Sequence, residues 1–125
     1  MKPGGRREPP RLSQVVHRAI EVCDGNVGIE GGLGDLYVRF EDRDEPITAI
    51  ENIEGLMAEA VGSLDVDGAD PQLAMAAADT VYLAYRRDEL DDDPGDILRL
   101  AARAEFDGSP PAHVAQWLAE VGIEV

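Results

Sequence analysis

Few residues in this sequence combine the types and the spacing that catalysis requires. The two histidines, His17 and His113, lie far apart in the chain, and the single cysteine is Cys23. Nucleophilic catalysis needs a nucleophile and a base that meet, and no spacing here favours such a pair. Cys23 lies on the apolar face of a predicted helix, whereas a reactive thiol needs exposure and a positive neighbour. We therefore expect a non-enzymatic protein with no catalytic residue and no cofactor.

The acids between residues 65 and 76 match the start of a calcium-binding loop only in part. An EF-hand loop carries oxygen ligands at positions 1, 3 and 5, a glycine at position 6 and a glutamate at position 12. Asp65 and Asp67 satisfy the first two positions, but Ala69 occupies the fifth, Asp70 the sixth and Ala76 the twelfth. This pattern favours a loop that precedes a helix, and we predict no metal site.

One acidic side chain, Asp79, lies within an otherwise apolar segment. The spacing over residues 70–87 predicts a central helix that is apolar around most of its circumference. Asp79 shares the remaining strip with Gln72, Arg86 and the apolar Leu83. We interpret this strip as solvated or as the edge of an interface, and predict partner binding by Asp79, Leu83 and Arg86. The alternative is a small ligand-binding protein or hydrolase in which Asp79 acts as acid or base.

Charge is the strongest signal in the composition. The chain has 11 Lys and Arg against 26 Asp and Glu, a formal net charge of -15, so its surface repels phosphate backbones. Residues 88–93, DELDDD, form an acidic loop that predicts a docking patch for a basic partner, a weak cation site or a solvated loop. The candidate partner-binding residues in it are Asp88, Glu89, Asp91, Asp92 and Asp93. The acidity has an alternative origin in adaptation to a salty cytosol.

The beginning of the chain has a different composition. Residues 1–10 combine prolines and glycines with basic residues and lack the apolar groups that offset the entropy of ordering. They predict a flexible basic arm, followed by one globular domain at residues 11–125. No apolar segment typical of a signal peptide or a membrane span occurs, so we expect a cytoplasmic protein.

Apolar residues recur at helical spacing in five segments: residues 11–24, 47–63, 70–87, 94–106 and 110–121. Cys23 belongs to the apolar face of the first, and His17 projects away from it. Three helices are predicted to begin with a capping residue followed by proline, at Asp70-Pro71, Asp93-Pro94 and Ser109-Pro110.

The glycine-rich segment after the first helix predicts a small β-hairpin at about residues 27–40. Leu36, Val38 and Phe40 alternate with Tyr37 and Arg39, as in a strand with one buried face. A phosphate-binding loop is a poorer interpretation, because no Lys-Ser or Lys-Thr pair follows the glycines. The predicted fold is therefore mainly α: a single five-helix domain packed around the central helix, with this hairpin.

Residues 101–123, AARAEFDGSPPAHVAQWLAEVGI, are similar in pattern to a helix-turn-helix, and this resemblance covers about a fifth of the chain. It implies a transcriptional regulator that uses the helical hairpin at residues 94–121 as reader and the basic arm as phosphate contact. The exposed side of the last helix would carry His113, Gln116, Ala119 and Glu120, without Arg or Lys to read bases.

These patterns favour an acidic interaction or regulatory module: an adaptor, inhibitor or immunity-type protein that binds a basic surface of another protein. Nucleic acid and membrane are not expected partners. A homodimer through alanine-rich helix faces is also compatible with the sequence.

Overall fold

The computed structural model of the protein describes residues 10–24, 31–64, 70–86, 92–107 and 109–123. These ranges form six α-helices and contain no β-strand, which confirms a mainly helical fold. None of the described helices is long and apolar enough to cross a membrane. The helices are α1 (Leu12–Asp24), α2 (Gly31–Phe40), α3 (Ile53–Leu64), α4 (Pro71–Tyr85), α5 (Pro94–Phe106) and α6 (Ala112–Glu120).

Helix α4 is the centre of the fold, as the sequence predicts. It packs against each of the other five helices. Its start follows the predicted capping pattern: Pro71 occupies the first turn, and the Asp70 carboxylate accepts hydrogen bonds from the backbone N–H groups of Gln72 and Leu73, at 3.0 and 3.3 Å. Small side chains on several sides of α4 let neighbouring backbones approach closely. Its buried apolar residues are Leu73, Met75, Ala76, Ala78, Leu83 and Ala84.

The predicted hairpin is wrong over residues 31–40, which form helix α2; residues 27–30 lie outside the described ranges. Leu33, Leu36 and Phe40 are buried, at helical spacing, whereas Val38 is 63% exposed. A strand would place Val38 on the same face as Leu36 and Phe40, so its exposure shows that the helical period applies here. The alternation in the sequence was therefore incidental, and the described ranges contain six helices rather than the five predicted.

A ring stack joins α2 to α1. The centroids of His17 and Tyr37 lie 4.2 Å apart, with the ring planes 10° from parallel. His17 is thus half-buried by α2 and does not project into solvent as the sequence predicts. This contact was not predicted, because a hairpin at residues 27–40 would provide no helix to cover the side of α1 that carries His17.

The acidic segment that follows α2, at residues 41–46, caps the start of α1. The backbone N–H of Leu12 donates to the carbonyl of Glu45, and that of Ser13 donates to the carbonyl of Arg43, each at 2.9 Å. These bonds satisfy first-turn donors that have no partner within a helix. The Arg43 guanidinium pairs with the Glu45 carboxylate at 2.8 Å, which holds the segment in shape.

The single helix predicted at residues 47–63 is divided in two. A short 3-10 turn covers Ile47–Ala49, and α3 begins only at Ile53. The Asn52 side chain accepts a hydrogen bond from the backbone N–H of Gly55 at 3.0 Å, which is the geometry of a helix cap. Asn52 therefore starts a new helix where the apolar periodicity alone indicated a continuous one.

Helix α5 has the predicted bounds, and the Asp93 carboxylate accepts from the backbone N–H of Gly95 at 3.0 Å. Helix α6 begins at Ala112, so the predicted cap at Ser109 is wrong. The double proline is the reason: a residue before proline avoids the α conformation, so Pro110, which precedes Pro111, cannot open the helix.

Helix α6 ends in a glycine cap. Gly122 has a positive φ of 82°. Its N–H donates to the carbonyl of Ala119 at 3.1 Å, and the N–H of Ile123 donates to that of Leu118 at 2.8 Å. These two bonds form a Schellman motif, which returns Ile123 toward the core.

Candidate functional site

A pocket of about 230 Å³ lies between α3, α4 and α5. Its polar wall consists of two carboxylates, two phenol rings and one guanidinium: Glu54, Tyr82, Tyr85, Arg86 and Glu105. Alanine and valine side chains complete the lining. We call this site the tyrosine pocket. Its volume is below the roughly 300 Å³ at which pockets for drug-sized ligands begin, so it suits a small group or one side chain.

Three helices position the side chains of the tyrosine pocket. Tyr82 and Tyr85 are three residues apart in the last turns of α4 and therefore lie on the same side of that helix. Glu54 is in the first turn of α3, and Glu105 is in the last turn of α5. Tyr85 is 68% exposed, which is unusual for a large aromatic side chain and places its ring at the pocket mouth.

The ionised form of Glu105 is disfavoured by its surroundings. Desolvation at the pocket wall raises the pKa of Glu105, and the nearby charge of Glu54 raises it further. Glu105 also lies in the last turn of α5, and the C-terminal end of a helix carries partial negative charge, which is an unfavourable position for a carboxylate. A cation in the tyrosine pocket would therefore stabilise both carboxylates.

Arg86 is the predicted partner-binding residue that does line the pocket. It is exposed, and its backbone N–H donates to the carbonyl of Tyr82 at 2.9 Å, which ends α4. The guanidinium shares the wall with Glu54 and Glu105, so carboxylates outnumber cations there.

Asp79 and Leu83 are both 0% exposed, so the prediction that the strip on α4 is solvated is wrong at these two positions, whereas Arg86 is exposed. Helix α1 contacts the strip at Gln72 and Asp79. The Cys23 thiol donates to Oδ2 of Asp79 at 3.2 Å, and the Gln72 side-chain amide donates to the backbone carbonyl of Cys23, also at 3.2 Å. The alignment of Gln72 and Asp79 on one strip was correct, but that strip faces α1 rather than solvent or a second chain.

Burial has a strong effect on the Asp79 carboxyl. Desolvation raises the pKa of Asp79 well above its usual range, and the hydrogen bond from Cys23 opposes this only in part. Oδ1 of Asp79 has no hydrogen-bond partner among the described residues. Burial therefore favours the protonated form of Asp79, and the residue is not among those that line the tyrosine pocket. Its position gives no support to a role as acid or base on a substrate.

The described part of the acidic loop consists of Asp92 and Asp93, and Asp88, Glu89 and Asp91 lie outside the described ranges. Asp92 and Asp93 are both exposed. The backbone carbonyl of Asp92 accepts from the Arg18 guanidinium at 2.9 Å, and Asp93 caps α5. These contacts hold the end of the loop against α1 and α5. Across the described ranges, no group of three or more His, Cys, Asp or Glu could hold a metal ion.

The helical hairpin at residues 94–121 consists of α5 and α6, and α6 packs mainly against α4. Gln116 and Glu120 are exposed, and their side chains lie 3.5 Å apart, whereas His113 is half-buried. The helix-turn-helix interpretation remains a prediction.

Comparisons with known proteins add no further constraint. No family model, curated protein or solved structure matches the chain.

Spacing along the sequence does not predict that Glu54, Tyr85 and Glu105 lie around one pocket. Tyr82 and Tyr85 belong to the apolar part of the circumference predicted for the central helix, and no feature of the sequence pattern distinguished the two glutamates as a pair. One signal was present in the sequence: Glu105 lies one residue before the end of a correctly predicted helix, where an acidic side chain is unfavourable.

Proposed function

We propose that the protein is a non-enzymatic acidic interaction or regulatory module, an adaptor, inhibitor or immunity-type protein, that binds a basic surface of another protein. The observation that carries this proposal is the tyrosine pocket, whose lining combines Glu54 and Glu105 with the half-buried Tyr82 and the exposed Tyr85. Tyrosines in well-packed pockets dominate the binding energy of many protein interfaces. Carboxylates beside them favour a cationic partner group.

The net charge of the chain supports the same class of partner. A formal charge of -15 attracts a basic protein over distances of about a Debye length and accelerates the encounter. Exposed acids on several helices, among them Asp35, Glu59 and Asp96, extend this negative field beyond the pocket.

Capture of partners from the source cytosol, followed by affinity measurements on the purified pair, tests the proposed function. We expect a partner with a basic surface, whose affinity falls steeply as the salt concentration rises, because exposed charge pairs are screened. An affinity that stays unchanged between low and high salt would exclude electrostatic recognition and with it this function.

A further inference from the structure

We propose that the tyrosine pocket binds a single arginine side chain, with the guanidinium held between the carboxylates of Glu54 and Glu105 and against the ring of Tyr85. The assignment of that arginine to a protein partner rests on the proposed function. The binding chemistry rests only on the pocket itself.

The pocket wall contains the groups that recognise guanidinium. A carboxylate accepts two parallel N–H bonds from arginine, and the flat cation also stacks on aromatic rings. Glu54 and Glu105 come from different helices, and Tyr85 offers a ring that is largely exposed. These groups lie around one depression of about 230 Å³, which is smaller than the usual ligand pocket.

Arginine fits this wall better than lysine does. The ammonium of lysine is a compact, strongly hydrated charge, whereas guanidinium is weakly hydrated and has donors in a planar fork. A site that partly desolvates Glu105 therefore favours guanidinium. Arg86 already supplies one guanidinium at this wall, and the two carboxylates exceed its charge.

Small probes test the inference on the full chain without any protein partner. N-acetyl-arginine methylamide is titrated while NMR signals of Tyr82, Tyr85 and Glu105 are recorded, and the lysine and citrulline analogues are titrated in parallel. Citrulline has nearly the shape of arginine without its charge. We expect the arginine probe to shift the pocket signals, the lysine probe to bind several-fold more weakly, and the citrulline probe to leave the signals unchanged.

Substitutions in the lining of the tyrosine pocket identify the side chains that bind the arginine probe. E54Q and E105Q should each weaken the arginine probe by about twofold to fivefold, the usual range for a partly exposed ion pair. E59Q is the matched control, because Glu59 is exposed on α3 but does not line the pocket. Y85L should weaken binding and Y85F should retain it, since phenylalanine keeps the ring.

Three results would overturn the inference: signal shifts with citrulline equal to those with arginine, a loss of affinity in E59Q equal to that in E54Q and E105Q, or arginine-induced shifts confined to residues outside the pocket.

Other results distinguish a failure of the arginine pocket from a failure of the proposed function. A captured partner whose salt-sensitive binding is unaffected by E54Q and E105Q would leave the function standing and reject the insertion of a partner arginine into the tyrosine pocket. If the arginine probe binds at the pocket but the affinity of the captured partner does not depend on salt, the arginine pocket stands and the proposed function is rejected.

Discussion

Glu105 occupies a position that does not favour folding. Its carboxylate lies beside Glu54, at the negative end of α5 and at a wall that removes part of its water. Residues that oppose local stability in this way are concentrated at binding sites, where a ligand compensates for the unfavourable contact. A bound cation should therefore stabilise the folded protein more at Glu105 than at an ordinary surface acid.

Replacing Glu105 with Gln should leave stability unchanged or raise it slightly, by less than about 0.5 kcal/mol as for most surface substitutions. A purely structural role would make the same change destabilising. Thermal unfolding of wild type and E105Q, compared with E59Q, measures the difference. A drop in Tm for E105Q alone would contradict the binding role.

The affinity of the arginine probe should rise with pH and then level off. The pKa of Glu105 is raised from its usual value of 4.5, so a fraction of the carboxyl is protonated just above that pH and cannot attract a cation. Titrations between pH 4.5 and neutrality measure this effect. E105Q should show a flatter profile, and an identical slope in wild type and E105Q would assign the titration to another group.

Replacing Asp79 with Asn should stabilise the protein by an amount that grows with pH. The pKa of Asp79 is raised above the unfolded value near 3.8, so the native state keeps a proton that the unfolded state releases. Stability from this group is complete below that value and is lost as pH rises toward the raised folded pKa. The loss is about 1.4 kcal/mol for each pH unit within this window.

Urea unfolding of wild type and D79N at several pH values between 4 and 8 measures this change. The comparison cancels the titration of the other acids, which both proteins share. D35N is the control, since Asp35 is exposed on α2. A difference between wild type and D79N that does not vary with pH would show that Asp79 is charged in the folded protein.

The positions of Asp79 and Glu105 show what helical periodicity can and cannot predict about a residue. It correctly placed Gln72 and Asp79 on one strip of the central helix. Whether a strip faces water or a neighbouring helix depends on how α1 packs, and that contact joins residues 56 positions apart. The carboxylates of the pocket likewise come from helices separated in sequence, so no spacing along the chain could bring them together.

At the level of the helices, Asp70 and Asp93 should stabilise the fold because their side chains cap helices. Ser109, which was predicted to be a cap but does not directly precede a helix, should not. Replacing Asp70 or Asp93 with Ala should each lower the free energy of unfolding by about 1 kcal/mol, since each carboxylate accepts N–H groups at a helix start. S109A should have little effect, because α6 begins at Ala112. Chemical denaturation of the three variants checks this order.

Two substitutions in α2 test whether residues 31–40 form a helix rather than a hairpin. Leu36→Ala should cost about 2–5 kcal/mol because Leu36 is fully buried, whereas Val38→Glu should change stability by less than about 0.5 kcal/mol. In a hairpin the two residues would share one face and respond alike. Equal destabilisation by both substitutions would therefore contradict the helix.

Helix boundaries were predictable where a local interaction determines them. The Asp-Pro pairs at residues 70 and 93 and the glycine at 122 act through backbone bonds within a few residues, so the sequence reveals them. Residues 31–40 contain both a helical and an alternating apolar pattern, and local spacing cannot decide between them. The choice depends on which face packs against α1 and α4, and this is a tertiary contact.

At the scale of the molecule, the excess of acids should lower the stability of the fold and strengthen the binding of a cationic probe. The ion pairs among the described helices and turns include Arg18 with Glu21, Arg43 with Glu45, and Arg99 with Asp96, whereas acids exceed basic residues by 15 over the chain. Added salt screens the repulsion between the many remaining acids and should raise Tm. The same salt should weaken the arginine probe.

Tm and probe affinity measured from low to high NaCl, with sucrose as an uncharged control, test this opposition. A Tm that falls with salt would mean that attractive pairs dominate the folded state. That result would contradict the expected repulsion.

The position of α4 in the chain has a consequence for biosynthesis. Helices α1, α2 and α3 all pack against α4, which is synthesised after them. Until residues 71–85 have left the ribosome, the apolar faces of α1 and α3 lack the helix that they contact most and remain accessible to chaperones. The first three helices can therefore complete their packing only after residues 71–85 have left the exit tunnel.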